Sequence, residues 1–324
     1  MKTRRSHIGM DFNVLGMIDL QGVSACAKEK TLLSTWSVYS DFISVIENNA
    51  YLKSYKKQAS LHLLGDAIYF YFPDAKTDSL IKTFQLMASL LQDFFVAKFD
   101  LSFGVNDIPL EYNNGKVVEI LKKNGLLDDQ GTVTKKFLQL ESCAQLPDEI
   151  HSVICCDDAK YRIFNLIHGK INMPWMTVRG ALAVGGVYGQ QDFKIRTGSS
   201  FDLLLGSAVS NAFKWEGQQQ WFLASVNQQF AQSVICSNFQ GQFSDLKQNN
   251  YLVEYKVPVK DGYVDALAVN FIDKKNQKKI SMVSQKKLKF YERYLATSDE
   301  NLFCKMCATD NFIKHVVSNK LFIG

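Results

Sequence analysis

Two acidic residues stand where chemistry could begin. Asp19 closes the apolar run Val14-Leu-Gly-Met-Ile-Asp19, and Asp66 follows Gly65 within Leu61-His-Leu-Leu-Gly-Asp-Ala-Ile-Tyr-Phe-Tyr-Phe72. A carboxylate at the junction of a buried strand and a glycine turn is costly unless a cation compensates it. Mg2+ suits that duty, because it is commonly held by one or two carboxylates together with substrate phosphates. Taken singly, each acid has a plainer explanation, as a turn cap at Asp19 and a hairpin residue at Asp66.

What would bring the two together is the order of the elements. The apolar run Val14–Ile18 predicts a buried strand over 13–20 that ends at Gln21-Gly22. Leu32, Trp36, Tyr39, Ile43 and Ile46 recur at helical steps behind it. Two strands, 59–65 and 67–72, form a hairpin about Gly65-Asp66, and Pro73 ends the second. A second amphipathic helix is predicted from residue 78 to about 98, with Leu80, Phe84, Met87, Leu91 and Phe94 on its inner face. In a βαββαβ arrangement the first and third strands are antiparallel neighbours, so the end of one lies beside the start of the other. Asp19 and Asp66 occupy those ends. The connection Leu20-Gln-Gly-Val-Ser24 would then offer backbone N–H groups to phosphate oxygens beside the acids.

Residues 100–172 carry turn signals at Asn113-Asn-Gly115 and Asp128-Asp-Gln-Gly131 and are expected to form an insertion. Pattern returns with the glycine-rich β run Thr177–Gly189, a helix from Gly206 onward and a strand pair about Lys260-Asp-Gly262. A catalytic domain over 1–272 followed by a basic helical extension over 273–324 is the expected organisation.

The chain of 324 residues, 47% hydrophobic and 21% charged with a net charge of +5, has the composition of a soluble protein with a sizeable core. No stretch approaches the roughly twenty apolar residues of a membrane helix. Residues 1–10 have the charge of a signal-peptide n-region, but Asp11 and Asp19 interrupt the apolar run behind it. Seven irregularly spaced cysteines suit free thiols in a reducing compartment, so a cytoplasmic protein is expected. Cys304-Lys-Met-Cys307 with His315 lacks a fourth zinc ligand and is expected to be a pair of thiols on a tail helix. Residues 274–293 hold eight basic residues and one acid, Glu292. Such a run is ordinarily a solvated face, although it could attract polyphosphate or nucleic acid. Neither a membrane nor a nucleic acid is expected as partner.

Four ordered blocks, Ile18-Asp19, Leu64-Gly65-Asp66-Ala-Ile-Tyr, Val178-Arg-Gly-Ala-Leu-Ala-Val-Gly185 and Leu205-Gly-Ser-Ala-Val-Ser-Asn-Ala-Phe-Lys-Trp-Glu216, together resemble the class III nucleotidyl cyclase domain. The Arg-Gly-Ala and Gly…Ala…Glu forms are similar to the bacterial antiphage pyrimidine cyclases of the Pycsar type. The resemblance covers roughly residues 10–272. It implies an α+β fold with a ferredoxin-like βαββαβ cyclase core, and a homodimer with active sites at the subunit interface. It implies two Mg2+ or Mn2+ ions per site, held by Asp19, Asp66 and the Leu20 carbonyl, and a phosphate cradle at Leu20, Gln21 and Gly22. The implied reaction closes UTP or CTP into its cyclic monophosphate, a second messenger in antiphage defence, with release of pyrophosphate.

By the same comparison, His62 and Leu203 stand where purine cyclases carry their base-reading pair, and neither purine code is present. His62 shares a strand face with Leu64 and is a base-contact candidate, with a core histidine as the equal alternative. Tyr51 and Tyr55 could stack on a base, though core packing is their default. Ser210 and Lys214 replace the ribose Asn and the transition-state Arg of the purine enzymes. Lys214 offers a point charge without a planar fork. Arg179 and Arg196 are candidates for the missing cation, Arg179 also for structural pairing, and Asn211 for the ribose. Two alternatives stay open: the same chemistry on ATP or GTP, and a catalytically idle cyclase fold that binds nucleotides or partners.

Overall fold

Strand β1 (Asp11–Leu20) runs through the middle of the molecule, buried on both faces from Asn13 to Ile18. The computed structural model describes residues 11–21, 32–73, 78–97, 114–131, 133–140, 143–150, 176–194, 200–235, 239–294 and 300–324. Helices α1 (Leu32–Asn48) and α2 (Ala50–Tyr55) follow β1, then the hairpin of β2 (Ser60–Leu64) and β3 (Ala67–Tyr71), then helix α3 (Ser79–Val96). Helices α4 (Asn114–Lys123) and α5 (Lys135–Leu138) occupy the segment expected as an insertion. Next come the long strand β4 (Val178–Lys194), β5 (Ser200–Leu205), helix α6 (Ser207–Glu216), β6 (Ala224–Val226), and helices α7 (Gln228–Ile235) and α8 (Gln240–Gln248). The hairpin of β7 (Leu252–Val259) and β8 (Gly262–Val269) precedes helices α9 (Gln277–Tyr294) and α10 (Glu300–Ser318).

The sheet order is β2-β3-β1-β4-β6-β8-β7, with β5 paired to the far end of β4. β1 is antiparallel to both β3 and β4, and β2 to β3. The first four strands with α1 and α3 therefore make the expected ferredoxin-like βαββαβ core of an α+β fold. Within it Phe42 of α1 stacks on Phe94 of α3 at 5.0 Å. Each fully buried ring of this kind contributes roughly 1.5–3 kcal/mol of transfer free energy.

The turn at Gly65 follows from local chemistry. Gly65 takes φ 63° while Asp66 does not enter positive φ, the II′ pattern in which glycine fills the first of two central positions. That turn matches the twist of the flanking strands and fixes Leu64 opposite Ala67. The basic extension continues the same core, since Ile280, Val283, Phe312, Ile313 and Val316 all belong to its main cluster. No helix among the described residues is long and apolar enough to cross a membrane.

Candidate active site

The register of β1 brings the two acids together. Asp19 pairs with Ala67 on one side and with Arg179 on the other, and residues so paired point to the same face of the sheet. Asp66 sits one residue before Ala67, and the Leu20 amide donates to the Asp66 carbonyl at 3.0 Å. The Gln21 amide in turn donates to the Thr177 carbonyl at 2.9 Å, so the exit of β1 is pinned between β3 and β4. The side chain of Gln21 donates to the Asp19 carboxylate.

Burial, and then the nearby negative charges of Glu216 and Asp66, push the Asp19 carboxyl up to about 7, against the opposing pull of Arg179 and Gln21. This is a concentration of negative charge in a half-desolvated place. Tyr39 of α1 and Tyr69 of β3 lie in the same field: burial first, then the acids, raise both phenols, Tyr69 to about 12. Asp19 and Asp66 offer hard oxygen donors of the kind Mg2+ or Mn2+ takes, while Glu216 is committed to Arg179. Such an ion takes its remaining oxygen ligands from water, a carbonyl or phosphate. Among the described residues no group of three or more His, Cys, Asp or Glu side chains forms a complete metal cage by itself.

Glu216 was quoted within the fourth sequence block without a role. On α6 it shares a buried face with Ala208, Ala212 and Trp215, and an acid on an apolar helical stripe signals a partner. That partner is Arg179, whose Nε donates to Glu216 Oε1, the side chains being 12% and 5% exposed. Arg179 Nη1 donates to the Gln219 carbonyl at 2.9 Å. The Gln219 side chain is a hub: its Nε2 donates to the Gly180 carbonyl at 2.8 Å, and its Oε1 accepts from Trp221 Nε1 at 2.8 Å and Ser225 Oγ at 2.7 Å. Arg179 is thus held beside Asp19 by a satisfied buried network.

The other candidates lie in several places. His62 is buried, shares a hydrogen bond with Ser60 Oγ at 3.0 Å and stacks on Tyr71 with ring centroids 6.1 Å apart. Gly189 covers it so closely that a Cβ there would come within 2.7 Å of the ring nitrogen. Tyr51 donates to Gln85 Oε1 at 2.8 Å, and Tyr55 packs edge-on to Phe72, so both rings are occupied in the core. Leu203 is half-buried on β5, while Ser210, Asn211 and Lys214 are exposed on α6, away from its Glu216 face. Gly22 and Arg196 lie outside the described residues. Cys304 and Cys307 are free thiols on α10, and His315 packs against Tyr255 instead of joining them.

No family model matches the chain, and no curated protein matches its sequence. Among solved structures it is similar to the guanylate cyclase domain of RhGC from Catenaria anguillulae in complex with GTP. That alignment has 9% identity and a TM-score of 0.43, covering 81% of this chain and 97% of that one. It is also similar to the dimeric guanylyl cyclase domain of the RhoGC fusion protein from Blastocladiella emersonii (10%, 80% and 96% covered, 0.42). A third is the adenylyl cyclase CyaB from P. aeruginosa (10%, 80% and 94% covered, 0.38). At such identities and scores the likeness says nothing of substrate or activity.

Proposed function

We propose that the chain is a nucleotidyl cyclase of the class III type that closes UTP or CTP into its 3′,5′-cyclic monophosphate with release of pyrophosphate. The observation that carries the reading is the apposition of Asp19 and Asp66 at the exit of β1, with the Leu20 amide bound to the Asp66 carbonyl. The resemblance of the four sequence blocks supports the family, and their Arg-Gly-Ala form supports a pyrimidine base and a signalling role in antiphage defence.

Asp19, Asp66 and the Leu20 carbonyl would hold two divalent ions, which supply acidity to the attacking 3′-hydroxyl and neutralise charge on the triphosphate. The chain's own residues do the positioning. The Gln21 amide, bound to the Thr177 carbonyl, fixes the end of β1 beside the two acids. Arg179, anchored by Glu216 and Gln219, offsets the negative charge around Asp19. The 3′-oxygen would bond to the α-phosphorus as the bond from that phosphorus to the α–β bridging oxygen breaks; pyrophosphate would carry away the electron pair, and the hydroxyl proton would pass to water. Lys214, exposed on α6 next to Phe213, which is 61% exposed, would reach the nucleotide of a second subunit in a homodimer.

One observation favours a second reading. Arg179 is already engaged by Glu216, and Ser210 and Lys214 replace the usual Asn and Arg, which suits an idle nucleotide-binding module. Incubating the purified chain with each of the four ribonucleoside triphosphates and Mn2+, and identifying products by mass spectrometry, separates the cases. A cyclic pyrimidine is expected. A cyclic purine as main product overturns the base assignment, and triphosphate binding without any product favours the idle module.

A further inference from the structure

Helix α9 presents a stripe of lysines that the fold leaves to solvent. Lys278, Lys279, Lys286 and Lys289 are all exposed on it, Lys274 and Lys275 lie just before its first turn, and 274–291 contain no acid. At 100° per residue the four helical lysines fall within about a third of the helix circumference, and Lys278 to Lys289 spans about 17 Å along the axis. Among the described residues none of the six makes a side-chain ion pair. Lys279 lies in the field of Asp93, and the run is flanked by Asp273 before Lys274 and by exposed Glu292 three residues beyond Lys289. A solvated helix face ordinarily alternates charges, and this one does not.

The opposite face of α9 is committed. Ile280, Val283 and Tyr291 are buried, and Lys287 buries its ammonium with Nζ 3.3 Å from the Met176 carbonyl and over the Phe95 ring. An amphipathic membrane helix needs a free apolar face, and among the described side chains of α9 the large exposed apolar one is Met282. The described part of the stripe carries no exposed aromatic on which a base could stack. What remains is a band of point charges along one side of a helix, suited to a line of phosphates.

We propose that the outer face of α9 is a docking surface for the phosphate backbone of a nucleic acid duplex, bound without regard to sequence. This reverses the expectation of a merely solvated face and is independent of the cyclase reading, since it uses none of the site residues. The test is fluorescence anisotropy of the full chain with a labelled 20-base-pair duplex, titrated at several salt concentrations. If all six lysines engage, log K against log salt should fall with a slope of about −5, a loss of roughly a thousandfold between 50 and 200 mM. The variant Lys278→Gln/Lys286→Gln/Lys289→Gln should lose at least tenfold in affinity and roughly half of that slope, with an unchanged circular dichroism spectrum. No binding at 50 mM salt, or equal binding and slope in the variant, overturns the proposal. So does binding to phosphatidylserine vesicles in place of the duplex. A variant that fails to fold is replaced by Lys278→Gln and Lys289→Gln singly, each expected to lower the slope by about one.

Discussion

Arg179 commits its guanidinium to Glu216 and to the Gln219 carbonyl, and it does so directly across the strand pair from Asp19. A cation in that position serves the site by its charge. Breaking a buried pair strands the surviving charge at a cost of about 3–5 kcal/mol. Glu216→Ala should therefore lower the melting temperature by about 4–7 degrees, measured calorimetrically. Arg179→Ala/Glu216→Ala together should cost clearly less than the two single losses added.

Gln219 makes a related prediction. Gln219→Leu keeps the volume but removes the acceptor of Trp221 and Ser225 and the donor to Gly180. Unsatisfied buried groups cost about 1–3 kcal/mol each, so a loss of about 2–4 kcal/mol in urea denaturation is expected.

Asp66→Ala should reduce metal-dependent nucleotide turnover by at least about a hundredfold, in line with the removal of a principal electrostatic group. Because Asp66 helps to raise the Asp19 carboxyl, the metal-free variant should be at least as stable as the parent. Unchanged turnover would remove Asp66 from the site.

The Asp19 carboxyl, held up to about 7 by burial and by Glu216 and Asp66, keeps its proton in the folded chain over a range where the unfolded chain has lost it. Its stabilising contribution is complete below pH ~4 and is lost as pH rises to about 7. The metal-free protein should lose a few kcal/mol of stability over that window, relative to Asp19→Asn. A midpoint scan in urea from pH 4.5 to 8 reads the difference, and parallel curves for the two proteins would refute it.

Lys287 behaves in the opposite sense. Desolvation lowers its ammonium to about 7, so the folded chain releases that proton before the unfolded chain does. Stability should rise between pH 7 and ~10, and Lys287→Met should abolish the rise while stabilising the protein at neutral pH by roughly 1–4 kcal/mol.

The core elements were legible because their patterns are strong. A continuous apolar run marked β1, Gly65-Asp66 marked the hairpin, and the run of Leu80, Phe84, Met87, Leu91 and Phe94 marked α3, all within a few residues of their observed bounds. The meeting of Asp19 with Asp66 followed from strand order alone. β6 was not legible, since three residues, Ala224–Val226, are too few to show a period. Nor was β5, because Ser200–Leu205 runs directly into Gly206 and the helix behind it, with no turn to set the strand apart. The Arg179–Glu216–Gln219 network was hidden for another reason: its members lie 37 and 40 residues apart, and their contact depends on how α6 sits on the sheet. Whether His62 is buried also had no local signature, because it depends on Gly189 arriving from a distant strand.

Near the end of the chain, the Ile323 amide donates to the carbonyl of Ile272 at 3.1 Å, so the two last helices leave and rejoin the fold at one point. A segment clasped at both ends cannot fray from its tip. The Ile323 amide proton should exchange with deuterium only through openings that also free the Ile272 carbonyl at the end of the sheet.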